Sequence, residues 1–94
     1  MSDQFQRYHL TLTRDRKPRR TTVSLDKFLS DLLAVSLGQS PATPAAHRAV
    51  REWLDKSLSE WIAFDPELPV SRQAALLALR RVAHPSLLAK LENG

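Results

Sequence analysis

Residues 20–37 carry a strand pattern that passes into a helix pattern without an intervening turn. Three consecutive positions, 21 to 23, hold β-branched residues, and the side chains alternate with the period of two that is typical of a strand. If Val23 and Leu25 face a core, the residues between them share the opposite face. Those residues are Arg20, Thr22 and Ser24.

An earlier segment, residues 5–13, also alternates with period two and predicts a first strand. Tyr8, Leu10 and Leu12 fall on one side of it, with polar residues between them. Residues 14–19 are highly charged and contain a turn-forming aspartate and proline, so they are predicted to be a link between the strands. The chain therefore begins with separate strands or with a hairpin.

Three or four helices are predicted after the strands. The first has Asp26 as its N-cap and leucines at helical spacing. The second has Thr43 as its N-cap and Pro44 as its first residue, where the missing N–H costs no hydrogen bond. The third begins after Ser71, and Pro85 breaks or kinks it, leaving a last short turn or helix.

A chain of 94 residues without cysteine has few means of stabilising a fold. It makes one small domain at most and has no disulfide, so a core shared between two copies would help it considerably. We therefore expect a homodimer. The lack of cysteine fits a reducing compartment. Since neither a signal peptide nor a run of about 18 apolar residues is present, we expect a cytoplasmic protein without a membrane span.

The net positive charge is concentrated at the start of the chain. Residues 1–24 contain six basic and two acidic residues, whereas residues 25–94 balance eight basic residues with eight acidic ones. A basic arm ahead of a neutral helical body favours a polyanionic partner, usually nucleic acid. The alternative is a solvated, solubilising tail.

The run "RTTVSLDKFLSDLLAVSLG", followed by a polar link and "TPAAHRAVREWLDKSLSEW", resembles the ribbon-helix-helix family of small prokaryotic DNA-binding repressors. The resemblance covers about residues 19–64. It implies a mostly α fold with a short N-terminal β element, arranged as an intertwined homodimer, here with an additional C-terminal helix. In that family two chains pair one strand each into a ribbon that lies in the major groove. The chain would then divide into three parts: a basic arm or first strand (1–19), a DNA-binding and dimerisation core (20–64), and a C-terminal helical extension (65–94).

The resemblance assigns roles to particular side chains. The base-reading residues would be Arg20, Thr22 and Ser24, and such chemistry is reasonable because Arg bonds guanine while Thr and Ser donate or accept hydrogen bonds. Basic residues of the arm and the cap of the second helix are expected to contact phosphates: Arg14, Arg16, Lys17, Arg19 and Thr43. The apolar residues of the strand and of both helices are expected at the dimer interface: Val23, Leu25, Leu29, Leu33, Leu54, Leu58 and Trp61.

Two features depart from the family pattern. The segment "PATP" lengthens the link between the helices, so Thr43 would grip a phosphate together with the N–H groups of Ala45 and Ala46. The strand 5–13 can also fold back on residues 20–25 and occupy the edge that a partner's strand needs. Such intrachain pairing would favour a small α+β protein-interaction module whose hairpin adds to a partner's sheet, whereas pairing between chains would favour DNA binding.

The sequence contains no pattern typical of catalysis. His9, His47 and His84 belong to three separate segments and lack the close spacing of a metal site. The chain has two glycines, too few for a loop that cradles phosphates. We therefore expect a protein that is not an enzyme and that needs neither metal nor cofactor.

The third helix extends past the two-helix body of the family. Leu76, Leu77 and Leu79 occupy more than one of its faces, so we expect it to be buried on two sides, against the domain and against a second copy or a protein partner. An antitoxin that binds a toxin through this C-terminal helix is therefore an alternative. The favoured function is a sequence-specific, repressor-like transcriptional regulator that reads double-stranded DNA.

Overall fold

The computed structural model describes residues 4–83. Two strands are followed by three helices: β1 (Phe5–Arg14), β2 (Lys17–Asp26), α1 (Lys27–Ser36), α2 (Pro44–Glu60) and α3 (Val70–Val82). The strands form a two-stranded antiparallel sheet. The predicted order, a β element and then helices, is confirmed, and the architecture is a small α+β fold. The predicted break at Pro85 and the short helix after it lie outside the described residues.

A turn of two residues, Asp15 and Arg16, joins the strands. Their φ angles are 52° and 64°, the left-handed backbone that a type I′ hairpin turn requires at both positions. Strand pairing continues up to Arg14 opposite Lys17, so the predicted link over residues 14–19 is wrong in its extent: only Asp15 and Arg16 lie between the strands. Charged residues are compatible with strand structure here because the end of the hairpin lies at the surface, where Arg16 and Lys17 are exposed.

Pro18 lies within β2 without breaking the sheet. Its partner across the hairpin is Thr13, and the Thr13 N–H points away from β2 to donate to the Ser59 Oγ of α2 at 3.1 Å. Thr13 and Pro18 thus form a non-hydrogen-bonded pair, in which neither residue's N–H donates to the opposite strand. The missing N–H of Pro18 therefore costs no hydrogen bond.

β2 pairs with β1 of the same chain along its whole length, beginning with Phe5 opposite Asp26. Of the two arrangements considered from the sequence, residues 5–13 thus fold back on residues 20–25. In this hairpin β1 takes the edge of β2 that a partner's strand would need. The other edge of β2 faces α3, where the Ser24 N–H donates to the Ser71 Oγ at 2.9 Å.

The predicted alternation is confirmed in both strands. The inner face, turned towards the helices, holds five buried side chains: Tyr8, Leu10, Leu12, Val23 and Leu25. On the outer face Arg20 and Thr22 are exposed and Ser24 is half-buried. The hairpin therefore separates an apolar face from a polar one, as a sheet with one solvated side does.

Both predicted side-chain caps are present. The Asp26 carboxylate accepts a hydrogen bond from the Leu29 N–H at 3.1 Å, and the Thr43 Oγ1 accepts one from the Ala46 N–H at 3.1 Å. These bonds satisfy N–H groups that have no partner within the first turn of a helix. The third helix begins at Val70, slightly earlier than predicted, and has no side-chain cap.

The hydrophobic core lies between the inner face of the hairpin and the three helices. α2 packs on β1, α3 packs on β2, and α1 contacts both of these helices. Six of the residues predicted at a dimer interface are buried in this core within one chain, and the seventh is partly buried against it: Val23, Leu25, Leu29, Leu33, Leu54, Leu58 and Trp61. In the described chain these residues build the protomer itself, and their contact with a second copy stays a prediction.

α3 is buried on one side. Ala74 and Ala78 are fully buried, whereas Leu76 and Leu79 are 41% and 48% exposed. The burial predicted for the second side is thus not provided by the described part of the chain. A contact of that side with another protein stays a prediction.

Candidate nucleic-acid interface

The three predicted base-reading residues lie in one row on the outer face of β2. Arg20 and Thr22 are exposed and Ser24 is half-buried. Because they occupy alternate positions of a strand, neighbouring members of the row are about 6.5–7 Å apart. Their side chains extend away from the core, so they are accessible to a partner without any change in the fold.

A second row on β1, which the sequence did not lead us to predict as part of the site, faces the first. Arg7, His9 and Thr11 are exposed and lie opposite Ser24, Thr22 and Arg20 respectively. The two rows together form the outer face of the hairpin. The period-two alternation of residues 5–13 was the signal for them, but it identifies a face only once the pairing of the strands is known.

One cross-strand contact orders the centre of the outer face. The His9 Nδ1 and the Thr22 Oγ1 share a hydrogen bond of 3.1 Å between exposed side chains. His9 and Thr22 are directly opposite in the strand register, a position at which cross-strand pairs add modestly to hairpin stability. The bond also fixes the orientation of the Thr22 hydroxyl. His9 therefore influences how this predicted base-reading residue is presented to a partner.

Arg14, predicted to contact phosphate, has a different environment. Its Nη1 donates to the carbonyl oxygens of Leu58 at 2.8 Å and of Ser59 at 3.1 Å, near the C-terminal end of α2. Its guanidinium carbon lies 4.7 Å from the centre of the Phe64 ring. A cation at the C-terminus of a helix interacts favourably with the helix dipole, and one over an aromatic ring gains a cation–π contact. Arg14 is half-buried and fastens the end of β1 to α2.

The other predicted phosphate-binding residues of the arm are exposed at the end of the hairpin. Arg16 lies in the turn, and Lys17 and Arg19 occupy alternate positions of β2. These two belong to the register of Val23 and Leu25, so they extend from the inner side of β2, and Arg19 lies opposite the buried Leu12. With Arg14 they line a recess under the end of the hairpin.

Thr43 is not close to the basic end of the hairpin. It caps α2, whose next turn contacts β1 through His47, where the Nε2–H donates to the Arg7 carbonyl at 3.3 Å. Arg7 and Arg16 are separated by nine strand positions, or about 30 Å. The Thr43 Oγ1 also donates to the Ser40 carbonyl at 2.8 Å, so this hydroxyl is engaged in the local structure of the helix start.

The Ala46 N–H, expected to help Thr43 hold a phosphate, donates to the Thr43 Oγ1. This bond is the helix cap itself, so it competes directly with an anion for the same N–H group. The structure thus does not bring the predicted phosphate contacts into one cluster: most lie at the turn end of the hairpin, and Thr43 lies at the other end.

A buried hydrogen bond and a stacked ring pair connect β1 to two helices. The Tyr8 hydroxyl and the Ser30 Oγ share a hydrogen bond, and the His47 ring stacks on the Tyr8 ring with centroids 4.6 Å apart. Burial raises the pKa of the Tyr8 phenol above its ordinary value; the Ser30 hydrogen bond opposes the rise and Asp31 adds to it. Tyr8 is therefore neutral near pH 7 and holds β1 against α1 and α2.

Within residues 4–83 no group of three or more His, Cys, Asp or Glu side chains is placed to hold a metal ion. His9 lies on the outer face and His47 on α2 beside Tyr8, while His84 lies outside the described residues. In the same part of the chain, each helix is too short or too polar to cross a membrane.

Known proteins give no assignment for this arrangement. No family model matches the chain, and no curated protein or solved structure matches it either.

Proposed function

We propose that the protein is a sequence-specific DNA-binding regulator of the repressor type and that the outer face of its hairpin binds the major groove of double-stranded DNA. The observation that carries the proposal is the pair of polar rows on a two-stranded antiparallel ribbon. The major groove is wide enough to admit such a ribbon, and polar side chains on its surface can reach base edges.

Side-chain chemistry supports this assignment. Arg20 and Arg7 lie on the outer face with the hydroxyl side chains of Thr22, Thr11 and Ser24. Arg can hold two acceptors of guanine at once, and Thr or Ser can donate, accept or contact the methyl group of thymine. Arg16, at the end of the hairpin, is exposed and suited to phosphate contact, which fixes position rather than sequence.

The proposal alters what the ribbon-helix-helix resemblance implied. In that family each of two chains contributes one strand, whereas here β1 and β2 of one chain make the ribbon. One protomer therefore carries a complete groove-binding element. We propose a homodimer in which each protomer binds one half-site, since a single short ribbon contacts few base pairs and two copies would extend the recognised sequence.

The intrachain hairpin also keeps a second candidate function open, the small α+β protein-interaction module. Strand addition needs free backbone groups at a sheet edge. At β1 the Thr11 N–H donates to the Asp55 Oδ1 at 2.9 Å and the Thr13 N–H donates to Ser59. At β2 the Ser24 N–H donates to Ser71. Side chains of α2 and α3 already accept hydrogen bonds from these edge N–H groups. We therefore favour binding through the outer face over addition of a strand at the edges.

Within this proposal the protein acts in the cytoplasm as a binding protein, without a catalytic step. An antitoxin function would depend on the C-terminal part of the chain, where residues 84–94 lie outside the described structure. The exposed Leu76 and Leu79 of α3 would belong to such a contact.

The test is a gel-shift series on genomic fragments at several salt concentrations. The wild-type protein should retain selected fragments, and the logarithm of its affinity should fall linearly with the logarithm of salt concentration. The double variant Arg7→Gln/Arg20→Gln should lose preference for those fragments. The control Arg48→Gln/Arg51→Gln removes the same charge from exposed positions of α2 and should keep it.

Equal loss of affinity in both double variants would show that binding follows net charge alone and would contradict the proposal. Absence of any fragment retained at low salt would do so as well.

A further inference from the structure

A recess of about 320 Å³ lies under the end of the hairpin, on the inner side of the sheet. Its lining comes from both strands, from the segment between α2 and α3, and from the start of α3. The volume is at the lower end of the range of about 300–1,000 Å³ that small-ligand sites occupy. Most of its strand lining belongs to the inner-face register, because side chains at alternate strand positions point to opposite sides, and Arg20 of the outer face also contributes.

Four basic residues line this recess, against one acid: Arg14, Lys17, Arg19 and Arg20, with Asp15. Lys17 and Arg19 are exposed and two positions apart on the same side of β2. Their backbone positions are about 6.5–7 Å apart, so two long side chains can converge on one anionic group. Clustered cations with few acids raise the local concentration of anions.

The floor of the recess is apolar. Phe64, Pro66 and Val70 contribute its lining from the helical side, and Leu12 contributes from the sheet. The position of Phe64 is held by Arg14, whose guanidinium lies over the ring while bonding the last carbonyls of α2. An apolar side chain that is held in this way can receive a flat or apolar group at little cost in ordering.

From this combination we propose that the recess binds a nucleotide carrying a terminal phosphate. Lys17 and Arg19 hold the phosphate, and the base lies on the apolar floor formed by Phe64, Pro66 and Val70. Phosphate oxygens accept strong charge-assisted hydrogen bonds from such residues. Two sources present the same chemistry, a free mononucleotide and the phosphorylated end of a nucleic-acid strand. The proposal does not depend on DNA recognition by the outer face.

The experiment is calorimetric titration of the full-length protein with adenosine monophosphate, adenosine and inorganic phosphate. Adenosine monophosphate should bind about tenfold or more tightly than either of its parts, since only the whole molecule uses both the basic rim and the apolar floor. The double variant Lys17→Gln/Arg19→Gln should lose about tenfold or more of that affinity. The control Arg48→Gln/Arg51→Gln, which removes an equal charge from α2, should bind like the wild type, and thermal melts should show both variants folded.

Competition with single-stranded oligonucleotides separates the two sources. If a 5′-phosphorylated strand displaces adenosine monophosphate and a 5′-hydroxyl strand does not, the ligand is a strand end. If neither strand displaces it, the ligand is a free nucleotide. Either result supports the proposal. Failure of adenosine monophosphate to bind at millimolar concentration would overturn it, as would inorganic phosphate binding equally well or both double variants losing the same affinity.

Discussion

At the scale of single residues, basic character alone does not define a role. Arg14 and Arg16 are two positions apart in the most basic part of the chain, yet Arg14 bonds two carbonyls of α2 and covers Phe64, whereas Arg16 is exposed in the turn. The sequence predicted both as phosphate contacts. The difference arises from partners more than forty positions away, which the local sequence does not indicate.

Arg14→Ala should destabilise the fold by about 1.5–3 kcal/mol, because hydrogen bonds to a charged group are lost and two part-buried carbonyls lose a donor. Arg16→Ala should change stability by less than about 0.5 kcal/mol, as exposed substitutions usually do. Urea unfolding of both variants measures the difference. Equal stability of the two variants would show that Arg14 does not fasten β1 to α2.

Tyr8→Phe should cost about 1–3 kcal/mol, because the buried Ser30 hydroxyl loses its partner. Adding Ser30→Ala should recover part of the loss, which a double-mutant cycle would measure as a coupling between the two side chains. If the stability losses of the two single variants simply added in the double variant, a direct hydrogen bond between Tyr8 and Ser30 would be contradicted.

Stability should also depend on alkaline pH through Tyr8. Because folding raises the pKa of this phenol above the ordinary value of 10.0, the unfolded chain releases the proton first. Its contribution to stability is therefore fully present below pH 10.0 and is lost as the pH rises through the higher pKa of the folded state. Unfolding free energies measured from pH 8 to 11 should decline less in Tyr8→Phe than in the wild type. If the unfolding free energies of the two proteins declined equally, the pH dependence would not come from Tyr8.

At the scale of elements, the hairpin is the feature on which both proposed sites depend. Its turn places Asp15 and Arg16 at positive φ, and residues other than glycine, asparagine and aspartate adopt this backbone at a cost. The strand pairing and the bonds from α2 to Thr11 and Thr13 hold this conformation. The outer face exists only while both strands stay paired.

Arg16→Gly should therefore stabilise the protein by about 0.5–1 kcal/mol, since Asp-Gly is a preferred pair for this turn and glycine has no steric penalty at φ of 64°. Arg19→Gly, inside β2, should have the opposite sign and cost roughly 0.5–1 kcal/mol. Thermal melts of both variants provide the comparison. If Arg16→Gly lowered stability as Arg19→Gly does, residues 15 and 16 would not form this turn.

Local signals in the sequence predicted much of the fold. Alternation identified the inner residues Val23 and Leu25, and Asp26 and Thr43 were predicted as caps because capping depends on residues three positions apart. The link was predicted at the right place but too long, because the two-residue turn lacks the glycine that usually marks it. The partner of β2, and with it the row of β1 residues on the outer face, depends on pairing between distant segments, for which a single sequence carries little signal.

At the scale of the whole molecule, one chain already encloses its core, and large apolar side chains remain outside it. Phe28, Leu32 and Val35 are exposed on the side of α1 opposite its buried residues. The residues predicted to join two copies are used within the protomer. A homodimer that forms by apolar contact must therefore use other residues, and in the proposed homodimer the second copy covers this side of α1.

The melting temperature should accordingly rise with protein concentration. Leu32→Ser should reduce that dependence while leaving the dilute protein folded, because Leu32 is 41% exposed. Its neighbour Leu33 is fully buried, so Leu33→Ser should cost about 2–5 kcal/mol at every concentration. A wild-type melting temperature independent of concentration, together with a monomeric mass in ultracentrifugation, would rule out the homodimer.

The most direct test of DNA binding by the hairpin is nuclear magnetic resonance of the isotope-labelled protein, titrated with a duplex selected by gel shift. Chemical-shift changes on binding report which part of the surface the duplex contacts. We predict the largest changes at the outer-face residues Arg7, His9, Thr11, Arg20 and Thr22, with small changes along α1 and α3. Changes centred on α1, or on the helices in general with the hairpin unaffected, would contradict groove binding by the ribbon.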